Sequence, residues 1–239
     1  MISNLKKPKI HFILRFYPAI KILSNQKLQQ IASVLSNSQC RTVFDFSHHK
    51  NALCIPDIRN RGSQKDGQDV VAMKMTKWFD TKYHYIVPEF TKDQEFKLFS
   101  EKIINEFKEA NALGIAKKPI LLGPVTYLLL GKEKEAGFHR IDLVDKLLTV
   151  YFEILQKLEN QKVEWIQFDE PFLALNLSDK EREAITYVYT EINKRFPKIK
   201  LILANYFDCF EENLETVLAL PVHTLHLDLV HAIRNWMTS

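Results

Sequence analysis

The run Val163-Glu-Trp-Ile-Gln-Phe-Asp-Glu-Pro171 decides the fold reading. Val163–Phe168 suits a short buried strand, and Asp169, Glu170 and Pro171 close it. A helix follows over Asp179–Phe196, with Ser178 as its candidate N-cap. Lys200–Ala204 is then a second strand. Strand, helix and strand in succession imply parallel neighbours, because parallel strands need a crossover connection.

The same alternation extends in both directions. Upstream, the spacing of Val70, Met73 and Trp78 predicts a helix over Asp69–Thr81. Tyr83–Val87 reads as a strand stopped by Pro88. Phe96, Phe99, Ile103, Phe107 and Ala110 predict a helix over Asp93–Leu113, with Gly114 as its stop. Pro119–Leu122 is a strand ending at Gly123–Pro124, and Ile141–Leu158 is a long amphipathic helix. Downstream, Glu211–Leu220 is helical and Thr224–Leu229 a strand. The fold class is therefore α/β, either a (β/α) TIM-type barrel or an open doubly wound sheet.

Five strands between residues 65 and 232 are too few for eight-stranded closure, so a barrel here would be incomplete. His11–Phe16 and Arg41–Phe46 could add strands, with a helix over Ser24–Asn37 between them. The chain ends soon after a strand, which reads as a truncation. The domain division is a divergent basic segment, 1–64, followed by a partial barrel, 65–239. Polar residues gather where strands end, at Glu89, Asp169, Glu170, Asn205, Tyr206 and Asp228. In a barrel, the C-terminal ends of the strands form the active-site mouth.

Composition narrows the function classes. The chain has 239 residues, 46% hydrophobic and 26% charged, which is the balance of a globular domain. No apolar run reaches the roughly 18 residues of a membrane span. Lys6, Lys7, Lys9, Arg15, Lys21, Lys27 and Arg41 stand in residues 1–44, which contain no Asp or Glu. That composition suits an organelle transit peptide or a divergent leader. Although the net charge is +4, the remainder is mildly acidic and has no basic stripe. Nucleic acid is not an expected partner, and neither is a membrane. Cys40, Cys54 and Cys209 are odd in number and far apart, which fits a reducing, cytoplasmic compartment.

Motif searches exclude several chemistries. GxGxxG, P-loop, HExxH, GxSxG and CxxC patterns are all missing. His223, His226 and His231, with Asp228 between, invite a metal reading. Strand alternation puts only His226 and Asp228 on one face, too few for a closed zinc site. Asp169–Glu170 invites a glycosidase reading, yet neighbouring strand residues face opposite ways and cannot flank one bond. A hydrogen-bonded structural carboxylate ahead of Pro171 is the alternative, and a cross-barrel pair with Glu89 stays open. Lys77, beside Trp78 and Phe79, could hold an anionic ligand against aromatic walls.

Four segments together resemble one family. They are Met75-Thr-Lys-Trp-Phe-Asp-Thr-Lys-Tyr-His-Tyr-Ile-Val-Pro-Glu-Phe90, Lys118-Pro-Ile-Leu-Leu-Gly-Pro-Val-Thr-Tyr127, Glu164-Trp-Ile-Gln-Phe-Asp-Glu-Pro171 and Leu225-His-Leu-Asp-Leu-Val230. In this order they are similar to the N-terminal half of cobalamin-independent methionine synthases. That resemblance implies two barrels and a methyl transfer from 5-methyltetrahydrofolate polyglutamate to the thiol of homocysteine. It also implies zinc and homocysteine ligands on the C-terminal barrel, and hence no cofactor and no catalytic residue in this chain. Zinc depresses a thiol's pKa, and the thiolate is the nucleophile.

By the same resemblance Lys77 matches a lysine that contacts the folate's glutamate tail. His84 lies in the same motif and is the second substrate-binding candidate. The family's opening Arg-Glu-Leu-Lys segment is not found in residues 1–64. Lys74 stands where the family carries Glu, and Lys82 where it carries Asn. The expectation is a supporting, folate-tail-binding domain, inactive alone and dependent on a separate chain for the zinc barrel. The alternatives are a non-catalytic remnant or binding protein from a split or decaying gene, and a stand-alone enzyme using Glu89, Asp169 or Glu170 as acid and base.

Overall fold

The computed structural model describes residues 74–79, 82, 84–98, 101–115 and 117–228. The expected elements within 1–64, and with them Cys40, Cys54 and His231, lie outside the described residues.

The described chain opens with a hairpin rather than a helix. β1 (Met75–Lys77) pairs antiparallel with β2 (His84–Ile86), placing Thr76 opposite Tyr85 and Lys77 opposite His84. The helix expected over Asp69–Thr81 is thus corrected for its second half. The apolar spacing there suited a helix, but Met75-Thr-Lys takes ladder partners seven to eleven residues on, and pairing overrides local period. Trp78, Tyr85, Val87 and Leu130 form a small core of their own. The Tyr85 hydroxyl donates to the Leu130 carbonyl at 3.0 Å, tying the hairpin to the body of the protein.

β3 (Glu89–Phe90) follows Pro88. α1 (Lys102–Ala112) starts later than the periodicity suggests and buries Ile104, Phe107 and Ala110. It stops where Gly114 takes a φ of +69°, a conformation glycine adopts without a Cβ clash. β4 (Ile120–Leu122) runs into Gly123, and α2 (Pro124–Leu129) begins at once. This helix was not legible as such. All six of its residues are buried, so it has no amphipathic stripe; its one signal is Pro124 at the first helical position.

β5 (Lys132–Glu133) pairs parallel with β3. A 3-10 turn at Arg140–Leu143 leads into α3 (Val144–Asn160). The inward face of α3 carries Leu147, Leu148, Tyr151, Ile154, Leu155 and Leu158, all buried, at the three- and four-residue spacing of a helix stripe. β6 (Trp165–Asp169) continues through a 3-10 turn at Pro171–Ala174 to α4 (Asp179–Arg195). Ser178 and Glu181 form a reciprocal capping box at the start of α4, as the candidate cap anticipated. Acidic residues in its first turn and Lys194 and Arg195 in its last both complement the helix dipole. β7 (Lys200–Ala204), a 3-10 turn at Glu211–Asn213, α5 (Leu214–Ala219) and β8 (Thr224–His226) complete the described chain.

The main sheet has the order β4-β6-β7-β8, with every pair parallel. An α/β architecture with a parallel sheet is therefore present. Among the described residues its ladders form an open run of four strands. The hairpin corrects the expectation of parallel pairing throughout, since β1 and β2 are consecutive and antiparallel. A continuous core joins the sheet to its helices through Phe168, Leu203, Tyr151, Leu155, Tyr189 and Ile192.

Gly123 holds a specific place in this packing. Its φ of −68° suits any residue, so the requirement is space. A Cβ there would stand 1.9 Å from Glu170 Cδ and 2.1 Å from Oε1. Glu170 is 1% exposed and held by hydrogen bonds, so its carboxyl cannot swing aside freely. Gly123→Ala is expected to cost about 3 kcal/mol or more, the scale of disrupting a buried paired carboxyl. Urea denaturation of both proteins checks it; a loss under about 0.5 kcal/mol, the range of ordinary surface changes, would reject this packing role.

Candidate functional site

Parallel strands all end on the same side, so the loops after β6, β7 and β8 share one face. Three of these loops carry the polar residues singled out in the sequence. Asp228, after β8, accepts the Phe207 N–H at 3.0 Å through Oδ2. Asn205, after β7, is 1% exposed and donates from Nδ2 to the Asp208 carbonyl at 3.0 Å. Glu170, after β6, is enclosed by α2 and α4.

The hairpin joins this face through aromatic rings. Phe79, just past β1, lies 5.1 Å from Phe207 in a stacked arrangement and 5.3 Å from Phe172 edge-on. Trp78 meets Phe79 at 5.3 Å and Tyr85 at 5.6 Å, both edge-to-face. Tyr206 adds an edge contact to Phe207 at 5.4 Å. Phe79 has a φ of +44° and Phe207 a φ of +90°. Such conformations are outliers for bulky residues and cost on the order of 1–3 kcal/mol each. The two strained residues are the stacked pair, so ring packing is what holds them. Backbone strain of this kind collects at functional sites.

Lys77 is exposed at the end of β1, one residue before buried Trp78. Its ladder partner is His84. The two substrate-binding candidates therefore stand side by side on one hairpin. Phe79, in its loop, packs on rings from beyond the ends of β6 and β7.

Each of the carboxylate candidates has partners of its own. Glu89 lies on β3, in the other parallel sheet, with its carboxylate 3.2 Å from Lys134 Nζ. Asp169 ends β6 and accepts from Gln167 Nε2 at 2.6 Å. Glu170 accepts the Thr126 N–H at 2.7 Å and the Tyr189 hydroxyl at 3.1 Å. It is the hydrogen-bonded structural carboxylate that its place before Pro171 suggested. Burial lifts its carboxyl to about 7, against the lowering pull of its hydrogen bonds to Thr126, Tyr189 and Val125.

The histidines also serve separate contacts. His223 precedes β8, and its Nδ1 accepts the Leu201 N–H at 3.2 Å. His226 lies on β8 with Nδ1 3.3 Å from the Asn205 carbonyl. Among the described residues no group of three His, Cys, Asp or Glu could hold a metal ion. These residues do not fit zinc. No helix among them is long and apolar enough to cross a membrane.

A family model described as the cobalamin-independent synthase, N-terminal domain, matches residues 58–238. The chain belongs to this family. Among its relatives is a 5-methyltetrahydropteroyltriglutamate–homocysteine methyltransferase of Flavobacterium johnsoniae, 76% identical over 170 residues. Proteins of the same name from Cytophaga hutchinsonii and Mesorhizobium japonicum are 56% and 50% identical over 171 and 167 residues. The matches cover 71%, 71% and 70% of this chain and 22% of each relative. The chain thus spans about a fifth of the length of these synthases.

The ring cluster escaped the sequence reading. Phe79, Phe172 and Phe207 are each one to three residues beyond a strand, and that shared offset was the available signal. Nothing local says that the three loops meet.

Glu170 makes stability depend on pH in this cobalamin-independent synthase domain. Its folded carboxyl titrates near 7 and its ordinary value is 4.5. Between these values the folded state keeps a proton that the unfolded state has released. The contribution is therefore fully present below about pH 4.5 and is lost as pH rises through about 7. Glu170→Gln should flatten a decline in unfolding free energy of up to about 3 kcal/mol over that interval. Denaturant titrations at several pH values check this; identical pH profiles for the two proteins would contradict it.

Proposed function

We propose that this chain supplies the supporting, folate-tail-binding domain of a cobalamin-independent methionine synthase. In this reading residues 65–239 form an arc of a (β/α) barrel, and 1–64 are a separate basic segment. The ligand is 5-methyltetrahydrofolate carrying a polyglutamate tail. Lys77 attracts the tail's carboxylates, and His84 offers a second polar group from the opposite strand. Methyl transfer to homocysteine takes place on a zinc-bearing barrel, which a separate chain provides.

One observation supports this reading above the others. The lysine of the family-like motif is exposed, stands at a strand end opposite His84, and lies two residues before Phe79, whose ring packs on Phe172 and Phe207 from the parallel-strand ends. The partners that Glu89, Asp169 and Glu170 each hold, Lys134, Gln167 and Thr126 respectively, weigh against the stand-alone acid–base reading.

Two measurements test it. Triglutamylated methyltetrahydrofolate should bind more tightly than the monoglutamate. Lys77→Ala should weaken the triglutamate about two- to fivefold, the range of one exposed charge pair, and salt should narrow the difference. Equal affinities across both ligands and both proteins remove Lys77 from the site. In the second, the purified chain alone is expected to form no methionine from methyltetrahydrofolate and homocysteine, and to gain activity when the zinc barrel is added. Turnover by the chain alone sinks the supporting role.

A further inference from the structure

The Glu170 carboxyl is joined to the Lys77 hairpin by an unbroken series of contacts. Thr126, fully buried at the start of α2, is the first link. Its N–H donates to Glu170 Oε2 at 2.7 Å, and its hydroxyl also bonds the carboxyl. The same hydroxyl oxygen accepts the Phe172 N–H at 3.4 Å. The Phe172 ring meets Phe79, and Phe79 meets Trp78, each at 5.3 Å. Lys77 is the next residue.

The two protonation states of Glu170 make different demands on this series. A carboxylate only accepts, whereas a carboxylic acid must also donate. With Glu170 ionised, the hydroxyls of Thr126 and Tyr189 both donate to it. With Glu170 protonated, its new O–H needs an acceptor, and Thr126 Oγ1 and Tyr189 Oη are the oxygens at hand. Taking Thr126 Oγ1 puts the proton in competition with the Phe172 N–H. Taking Tyr189 Oη turns that hydroxyl away from the carboxyl. In a buried network such rearrangements are costly and shift neighbouring groups.

We propose that Glu170 is a positioning residue whose protonation state resets the Thr126–Phe172 bond and, through Phe172 and Phe79, the seat of Trp78 and Lys77. Burial lifts its carboxyl to about 7, so both states are populated near neutral pH. The other titratable groups facing it are Tyr189 on α4 and Tyr151 on α3, and Asp169 of β6 acts on the same Tyr189. Burial drives both tyrosines well above their ordinary value, so neither ionises in this range. The link is a property of the fold and holds whatever occupies the Lys77 face.

Trp78 is the natural reporter, since it is 1% exposed and touches Phe79. Replacing Trp165 and Trp236 with Phe leaves Trp78 as the sole tryptophan of the 239-residue chain. Its emission is expected to change in one proton step across roughly pH 5.5–8.5, spanning the neutral range. Glu170→Gln, which keeps the shape and removes the charge change, should abolish that step. A Trp78 signal that stays flat in the parent protein overturns the proposal. So does a step that persists in Glu170→Gln, because it then belongs to a histidine. Should Glu170→Gln fail to fold, isotope-edited infrared spectroscopy of labelled glutamate in the parent protein replaces it. The buried acid's midpoint must coincide with that of Trp78, and separated midpoints reject the link.

Discussion

A carboxyl group enclosed between a strand end and two helices organises the centre of this domain. Glu170 leaves β6 and takes the N–H of Thr126 from α2 and the hydroxyl of Tyr189 from α4. An unpaired carboxylate in such surroundings would be expensive to keep, so its partners must all be present. That requirement explains several otherwise unrelated residues. Gly123 leaves the volume the carboxyl fills. Pro124 starts a helix whose free N–H groups face it. Tyr189 reaches in from a helix whose remaining inward residues are apolar. The carboxyl thereby joins β4, β6, α2 and α4 at one point.

The face at the strand ends is built outward from that point. Because β6, β7 and β8 are parallel, their C-terminal loops are neighbours. Phe172 and Phe207 come from two of them and receive Phe79 from the hairpin. Left-handed backbone at Phe79 and Phe207 would not persist in isolated loops. It persists where rings packed from separate loops over-determine it. Lys77, exposed, lies two residues before the packed ring of Phe79.

Much of the architecture could be read from residue order. The strand at 165–169 and the helices at 144–160 and 179–195 follow patterns of period two or 3.6, and the strand at 200–204 is a short apolar run, each with recognisable stops. The capping box at Ser178 is a signal of four residues and needs no tertiary partner. Helix α2 was hidden because burial on every side erases periodicity. The β1–β2 hairpin was misread because a three-residue strand is set by its pairing rather than by its own composition.

The candidate site divides in the same way. Lys77 and His84 were legible as residues of a motif, and Glu170 as a structural carboxylate before Pro171. Local sequence determined the α/β alternation, the helix caps and the family, since each depends on neighbours within a few residues or on ordered motifs. Tertiary structure alone decided that Lys77 pairs with His84 in the hairpin ladder, that Glu170 is buried to a neutral-range carboxyl, and that Phe79, Phe172 and Phe207 meet. The first depends on strand pairing across a short hairpin, and the others on segments from different elements that only packing brings into contact.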